Sequence, residues 1–292
     1  MRRGYAELLV CTLTWGSLGV VRKHVDLPSS ALAFFRLSLG AVVVLAWVAA
    51  RGRLRALRPH GRPGLLVVAG VLLGIHWALE LEAYNRLDVA AAILIVFIGP
   101  VLAALAAPFV LGERLRAVSI AALGLAVGGI VLITVPRIRH IDARGLFAAL
   151  GSGVLFAAVL LVGKKLTEVY EPATITVWQL GIGAVIVSPA LAGVSAHALA
   201  RATGPVLALG IAYTGVLGVL YFRALRALEA QRFGVIAYLE PASAILYAWV
   251  LLHERPAVLT VIGGLLVVVA GITIVATDRT PVAPTALPEP IS

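Results

Sequence analysis

The chain has 292 residues, 61% of them hydrophobic and 13% charged, and its mean hydropathy is +1.03. A soluble domain carries about 25% charged residues, so this composition excludes a soluble globular protein and points to an integral membrane protein. The formal net charge of +10 is spread over short links between apolar runs, which makes it a topological signal and not a surface for nucleic acid.

A helix that crosses a membrane needs about 20 mostly apolar residues. Ten runs fit: 5–22, 30–50, 64–84, 88–110, 117–136, 145–163, 173–193, 205–222, 231–252 and 258–277. The basic start Met1-Arg2-Arg3 could open a signal peptide, but a second apolar run follows almost at once, so the first reads as an uncleaved span. The tail from Asp278 holds Pro281, Pro284, Pro288 and Pro290 and is expected to be disordered. Cys11 is the only cysteine, which excludes an internal disulfide and a cysteine-based metal site. There is no Walker A loop, no G-x-S-x-G and no H-E-x-x-H, so the chain reads as a non-enzyme without a cofactor.

Lys and Arg set the expected orientation. With the N-terminus inside, 15 of the 24 fall on the cytoplasmic side and 8 on the other, with Arg36 inside a span. The five arginines between spans two and three, Arg51, Arg53, Arg55, Arg58 and Arg62, dominate the bias, and both termini are expected in the cytoplasm.

One stretch is written twice. Pro100 to Arg114 reads PVLAALAAPFVLGER, and Pro241 to Arg255 reads PASAILYAWVLLHER, with seven of fifteen positions identical. In each copy a proline interrupts an apolar run and a Glu-Arg pair closes it. A proline inside an apolar helix frees a carbonyl that must then face protein or a water-filled cavity. The repeat extends to Arg36–Val42 against Gln179–Val185, so the unit is five spans used twice, over 5–136 and 145–277. Because five is odd, the second unit enters the membrane upside down. The expected fold is an all-α membrane protein of ten transmembrane helices in two inverted five-helix repeats, with broken helices at matching places marking a transport site.

Trp15-Gly16 in span one, Arg36 in span two, Pro100 with Gly112-Glu113, and Glu240-Pro241 with Glu254 together resemble the EamA domain of the drug/metabolite transporter superfamily, present twice. The resemblance covers residues 5 to 277. It implies a central cavity lined mainly by spans 1, 3, 4, 6, 8 and 9, and export of amino acids or related metabolites. Two positions depart from it: His253 stands where glycine is expected, and Phe156-Ala157 stand where a Trp-Gly pair is expected.

Polar groups within spans are costly and usually face the bundle interior. His76, Glu80 and Tyr84 recur at i, i+4 and i+8 on one face of span three. They can bind a substrate amine, relay a proton, or satisfy one another. Trp15, Tyr213, Tyr221 and Tyr238 offer aromatic faces and hydroxyls, with core packing as the alternative for each. Arg36 and Glu240 are the clearest charges within spans. Either can hold one end of a zwitterion, or both can serve a structural or gating role with Pro100, Pro241 and Gln179.

The expected function is secondary transport of a small polar metabolite, foremost an amino acid with an apolar or aromatic side chain, out of the cytoplasm. The partners are that solute, the bilayer of a bacterial-type inner membrane and protons, with no role for nucleic acid. Two alternatives stay open. A flippase for a lipid-linked intermediate needs basic residues deep in several spans. A drug or cation exporter of related fold needs a Glu in the middle of span one.

Overall fold

A computed structural model describes residues 2–22, 25, 27–87, 89–135, 138, 142–191, 196–253 and 255–277. Lys23, Glu254 and the tail from Asp278 lie outside the described residues. The described residues form helices joined by short irregular links, with no strand among them.

Eight helical stretches are long and apolar enough to cross a membrane: Ser30–Ala50, Pro63–Arg86, Ala91–Leu111, Ala117–Thr134, Ala143–Leu166, Leu199–Ala227, Ala230–Leu252 and Val258–Ala276. The other two expected spans are shorter. The first is α1 (Arg2–Gly16), broken from α2 (Leu18–Arg22) at Ser17. The seventh is α9 (Pro172–Val187), 16 residues that continue as a 3-10 turn over Ser188–Leu191. Between them run α3 (Ser29–Ala50), α4 (Pro63–Arg86), α5 (Val89–Val96), α6 (Ile98–Leu111), α7 (Ala117–Thr134) and α8 (Ala143–Leu166). After α9 come α10 (Ala196–Ala208), a π-helix over Leu209–Val216, α11 (Leu217–Ala227), α12 (Ala230–Ala237), α13 (Leu239–Leu252) and α14 (Val258–Ala276).

Both repeated prolines sit at helix breaks, three residues downstream of the break itself. Phe97 separates α5 from α6 and Tyr238 separates α12 from α13, which makes Pro100 and Pro241 the third residue of each new helix. The first residues of a helix have no intrahelical acceptor for their N–H, so a proline loses nothing there. What it prevents is continuation of the preceding helix across the break.

Close packing depends on small residues. At Gly40 and Gly215, α3 crosses the π-helix with Gly215 N only 3.1 Å from where a Cβ on Gly40 would lie. At Gly74 and Gly183, α4 crosses α9 with the Gly183 carbonyl 3.1 Å from the corresponding Gly74 position. Beyond these crossings α4 packs on α8, α6 on α8 and α12, α1 on α11 and α13, and α7 on α14. Large apolar side chains such as Phe109, Phe147, Val185 and Val258 point outward, as a bilayer-facing surface requires.

The departure at His253 has a backbone consequence. Gly112 closes α6 in the left-handed conformation at φ 70°, and His253 closes α13 in the same conformation at φ 57°. Glycine adopts this freely, while an L side chain is disfavoured there by about 1 kcal/mol. His253→Gly is therefore expected to raise stability in detergent by about 0.5–1 kcal/mol, read as an upward shift in the thermal unfolding midpoint. An unchanged or lower midpoint contradicts the strain at this turn.

Candidate functional site

Arg36 on α3, Glu80 on α4 and Glu240 on α13 lie within electrostatic reach of one another, with Thr214 of the π-helix beside Arg36. Arg36 on α3 donates from Nε to Thr214 Oγ1 at 3.3 Å, and its guanidinium lies 4.8 Å from the Trp77 ring centre. Thr214 is itself fixed by donating to Leu209 O at 2.9 Å. Glu80 and Glu240 both act on Arg36 electrostatically, yet among the described residues neither closes to ion-pair distance. Tyr84 donates to Glu80 Oε1 at 3.0 Å, an i, i+4 bond on α4. Glu240 lies in the first turn of α13, beside the broken peptide at Tyr238. No hydrogen bond to its carboxylate occurs among the described residues. The cluster thus holds one guanidinium and two carboxylates.

An aromatic wall stands on one side. Trp15 ends α1 and donates its indole N–H to Tyr213 O at 2.7 Å. That carbonyl belongs to the π-helix, whose i→i+5 pattern shifts the hydrogen-bond register and leaves carbonyls in need of outside donors. Ser17 and Tyr213 share a hydroxyl–hydroxyl bond of 2.5 Å. Tyr221 packs with its ring centre 5.9 Å from that of Trp15, and its buried hydroxyl has no hydrogen-bond partner among the described residues.

Two of the anticipated contact residues, His76 and Tyr238, have other attachments. His76 is buried and turns toward α8, with Nδ1 3.0 Å from Ser152 O and 2.9 Å from Ser152 Oγ, and its ring stacks on Phe156. Its spacing from Glu80 puts the two on one side of α4, but α8 claims the imidazole. Tyr238 is buried and donates to Phe97 O at 2.6 Å, with the two rings 5.8 Å apart. Phe97 and Tyr238 are the break residues of the two copies, so the breaks bond to each other directly. Gln179 reaches Ala69 O at 3.5 Å and ties α9 to α4.

One residue plays a part that its sequence context concealed. Glu113, from the Glu-Arg pair that closes the first apolar run, accepts the Ala230 N–H with both oxygens, at 3.0 and 2.8 Å, and so caps α12 in the other half of the chain. Gln231 adds a bond to Arg114 O at 3.0 Å. Nearby, Lys164 donates to Leu225 O at 2.7 Å and Leu228 O at 2.5 Å, Glu7 holds Arg223 at 2.5 Å, and Arg226 donates to Thr167 O at 2.9 Å. These bonds close this arginine-rich end of the bundle. The recurrence of Glu-Arg at the same place in both copies was the signal available for Glu113.

The comparisons with known proteins agree with this architecture. The EamA-like transporter family model matches residues 2–135 and 143–277, and the chain belongs to that family. It is 25% identical over 280 residues to the uncharacterized transporter YxxF of Bacillus subtilis, covering 94% of this chain and 89% of that one. It is 23% identical to the pseudopaline exporter CntI of Pseudomonas aeruginosa, covering 96% and 98%. It is 26% identical to a probable terminal-alkyne amino-acid exporter of Streptantibioticus cattleyicolor, covering 89% of each. A crystal structure at 20% identity superposes with a TM-score of 0.80 over 94% of this chain and 97% of the other, which shows the shared fold. The chain is a multi-pass membrane transporter of this family.

Burial pushes the Glu113 carboxyl above its ordinary range, against the pull of Lys164 and the Ala230 N–H. A carboxyl whose folded pKa exceeds its unfolded value binds more protons when folded. Its contribution to stability therefore falls as pH rises from the unfolded value of about 4.5 through the folded one. Glu113→Gln cannot titrate and is expected to remove that decline from the pH–stability curve in detergent. Glu113→Ala, which also loses the cap, is expected to cost about 1–2 kcal/mol. A Gln variant with the wild-type pH slope rules out the buried titration.

Proposed function

We propose that the protein is a secondary transporter that carries a small amino compound, foremost an amino acid, out of the cytoplasm by alternating access. The observation that carries this reading is the single guanidinium set among two carboxylates, none of them paired within the cluster. Arg36 suits the substrate carboxylate. Glu80 and Glu240 suit its ammonium, and Trp15, Tyr84, Tyr213 and Trp77 supply apolar faces for the side chain. With one carboxylate in excess, the centre is balanced by one more positive charge. The zwitterion as a whole adds no net charge, so the competition is local: a proton and the substrate ammonium contend for the same carboxylate oxygens, which gives a physical route to exchange of protons for solute.

The proposed architecture is ten spans in two inverted repeats over 5–136 and 145–277, with both termini cytoplasmic. Its support is the packing. Exchanging the halves turns the contact of α4 with α8 into that of α11 with α1, and the contact of α6 with α8 into that of α13 with α1. It also turns the Gly40–Gly215 crossing into the Gly183–Gly74 crossing. Phe97 and Tyr238, equivalent by the same exchange, touch each other. In a bacterial-type inner membrane the arginine-rich end then lies inside and must open for loading. The direction of transport rests on the two relatives named as exporters.

In this reading His76 holds α4 against α8 and is a positioning residue, while Pro100, Pro241 and Gln179 serve the structure of the breaks and the crossing. The test is flux in liposomes loaded with a mixed amino-acid panel. The wild type is expected to move at least one amino acid. A lost charge-assisted bond should weaken apparent affinity about 10- to 100-fold in Arg36→Gln. Glu240→Gln should flatten the dependence on a proton gradient, and His76→Gln should keep the wild-type pH profile. Wild-type affinity and coupling in both Arg36→Gln and Glu240→Gln would remove this site.

A further inference from the structure

We infer that α9 carries a binding site for an anionic glycerophospholipid, seated with its headgroup at the arginine-rich loop and an acyl chain along the helix. The loop between α3 and α4 is a built platform. Thr174 donates to Ala56 O at 2.9 Å and the Trp178 indole donates to Leu57 O at 2.9 Å, which fixes the 3-10 turn Leu54–Leu57 against α9. A shallow notch of about 10 Å³, with room for a water and not for a phosphate, lies between loop and helix, lined by Trp47, Arg51, Arg53, Glu171 and Thr174 among others, so an anion would meet the arginines at its rim. Arg53 is balanced by Glu171 at 2.6 Å. Among the described residues Arg51 meets no carboxylate, and its guanidinium rests 4.8 Å from the centre of the half-exposed Trp47 ring. Arg55 and Arg58, on the same loop, form no ion pair among the described residues. The notch is therefore net positive at the level where an aromatic side chain marks the membrane interface.

A second, separate apolar groove lies farther along α9. Val177, Trp178, Gly181, Ile182 and Val185 line a depression on the outer face of α9. Counted from Thr174 in the notch, these positions fall at i+3, i+4, i+7, i+8 and i+11, one side of one helix. The groove exists because Gly181 has no side chain and nothing lies within 4 Å of where its Cβ would be. From Thr174 to Val185 the helix rises about 16 Å, close to the half-thickness of about 15 Å of a hydrocarbon core. A cationic rim and an apolar groove on the same side of α9, together about one leaflet deep, suit a phosphate headgroup and its acyl chain, and free phosphate would use only the rim.

The test is native mass spectrometry of the full chain released from nanodiscs of equal phosphatidylglycerol and phosphatidylcholine. The wild type is expected to retain phosphatidylglycerol in preference. Each notch arginine should contribute about fivefold to that preference, so Arg51→Gln should lower it about fivefold and Arg51→Gln with Arg53→Gln about 25-fold. The single variant stands alone if freeing Glu171 disturbs the loop. Gly181→Phe faces open space and should fold normally while losing the retained lipid. Arg2→Gln with Arg3→Gln, the same charge change elsewhere, should leave the preference intact. Equal retention of both lipids by the wild type, an equal loss in the Arg2/Arg3 control, or full occupancy in Gly181→Phe would each overturn the site.

Discussion

Hydrocarbon offers no hydrogen bonds, so every backbone group that a helix break frees must find a partner inside the protein. Three interruptions in this chain face that demand, at Ser17, at Phe97 and at Tyr238, together with the register shift of the π-helix over Leu209–Val216. Their solutions interlock. The Tyr238 hydroxyl serves the Phe97 carbonyl, the Trp15 indole serves the Tyr213 carbonyl, Ser243 serves the Glu240 carbonyl at 2.8 Å, and Thr214 serves Leu209. The breaks are thereby drawn to one place in the bundle, and Arg36, Glu80 and Glu240 gather there with them.

The same geometry accounts for the small residues around that centre. Gly16 lies so close to α13 that a Cβ there would fall 1.9 Å from Ser243 Oγ. Trp15 can reach the π-helix because its neighbour has no side chain to hold the two helices apart. A larger residue at Gly16 would move α1 away and leave the Tyr213 carbonyl bare in an apolar surrounding, at a cost of several kcal/mol. Structure and site are thus coupled through a few backbone carbonyls, while most of the apolar surface only has to face lipid.

Much of this was legible in the residues. Long apolar runs marked most of the helices, and the scarce Pro, Glu and Arg of the duplicated stretch marked both breaks and the family. Three features were not. The π-helix receives bonds from Trp15 and Arg36 on other helices, and nothing in LGIAYTGV distinguishes it from an α-helix. The spacing of His76 and Glu80 gave the face of α4 but not its neighbour, and Ser152 on α8 took the imidazole. Glu113 looked like a local end residue because its acceptor role, at Ala230, is 117 residues away. Helical periodicity reports the helix a residue belongs to; which partner it meets across the bundle is decided by packing.

The central claim is that Arg36, Glu80 and Glu240 line a water-filled space reached by substrate, and are not a sealed packing network. Cys11 is the only cysteine and is buried, so Cys11→Ser provides a clean background. In that background, Glu240→Cys can be challenged in proteoliposomes with a membrane-impermeant thiol reagent. Labelling that is slowed when a transported amino acid is supplied is the predicted result. A thiol at 240 that stays unreactive while a surface control at Arg255→Cys labels fully would contradict it.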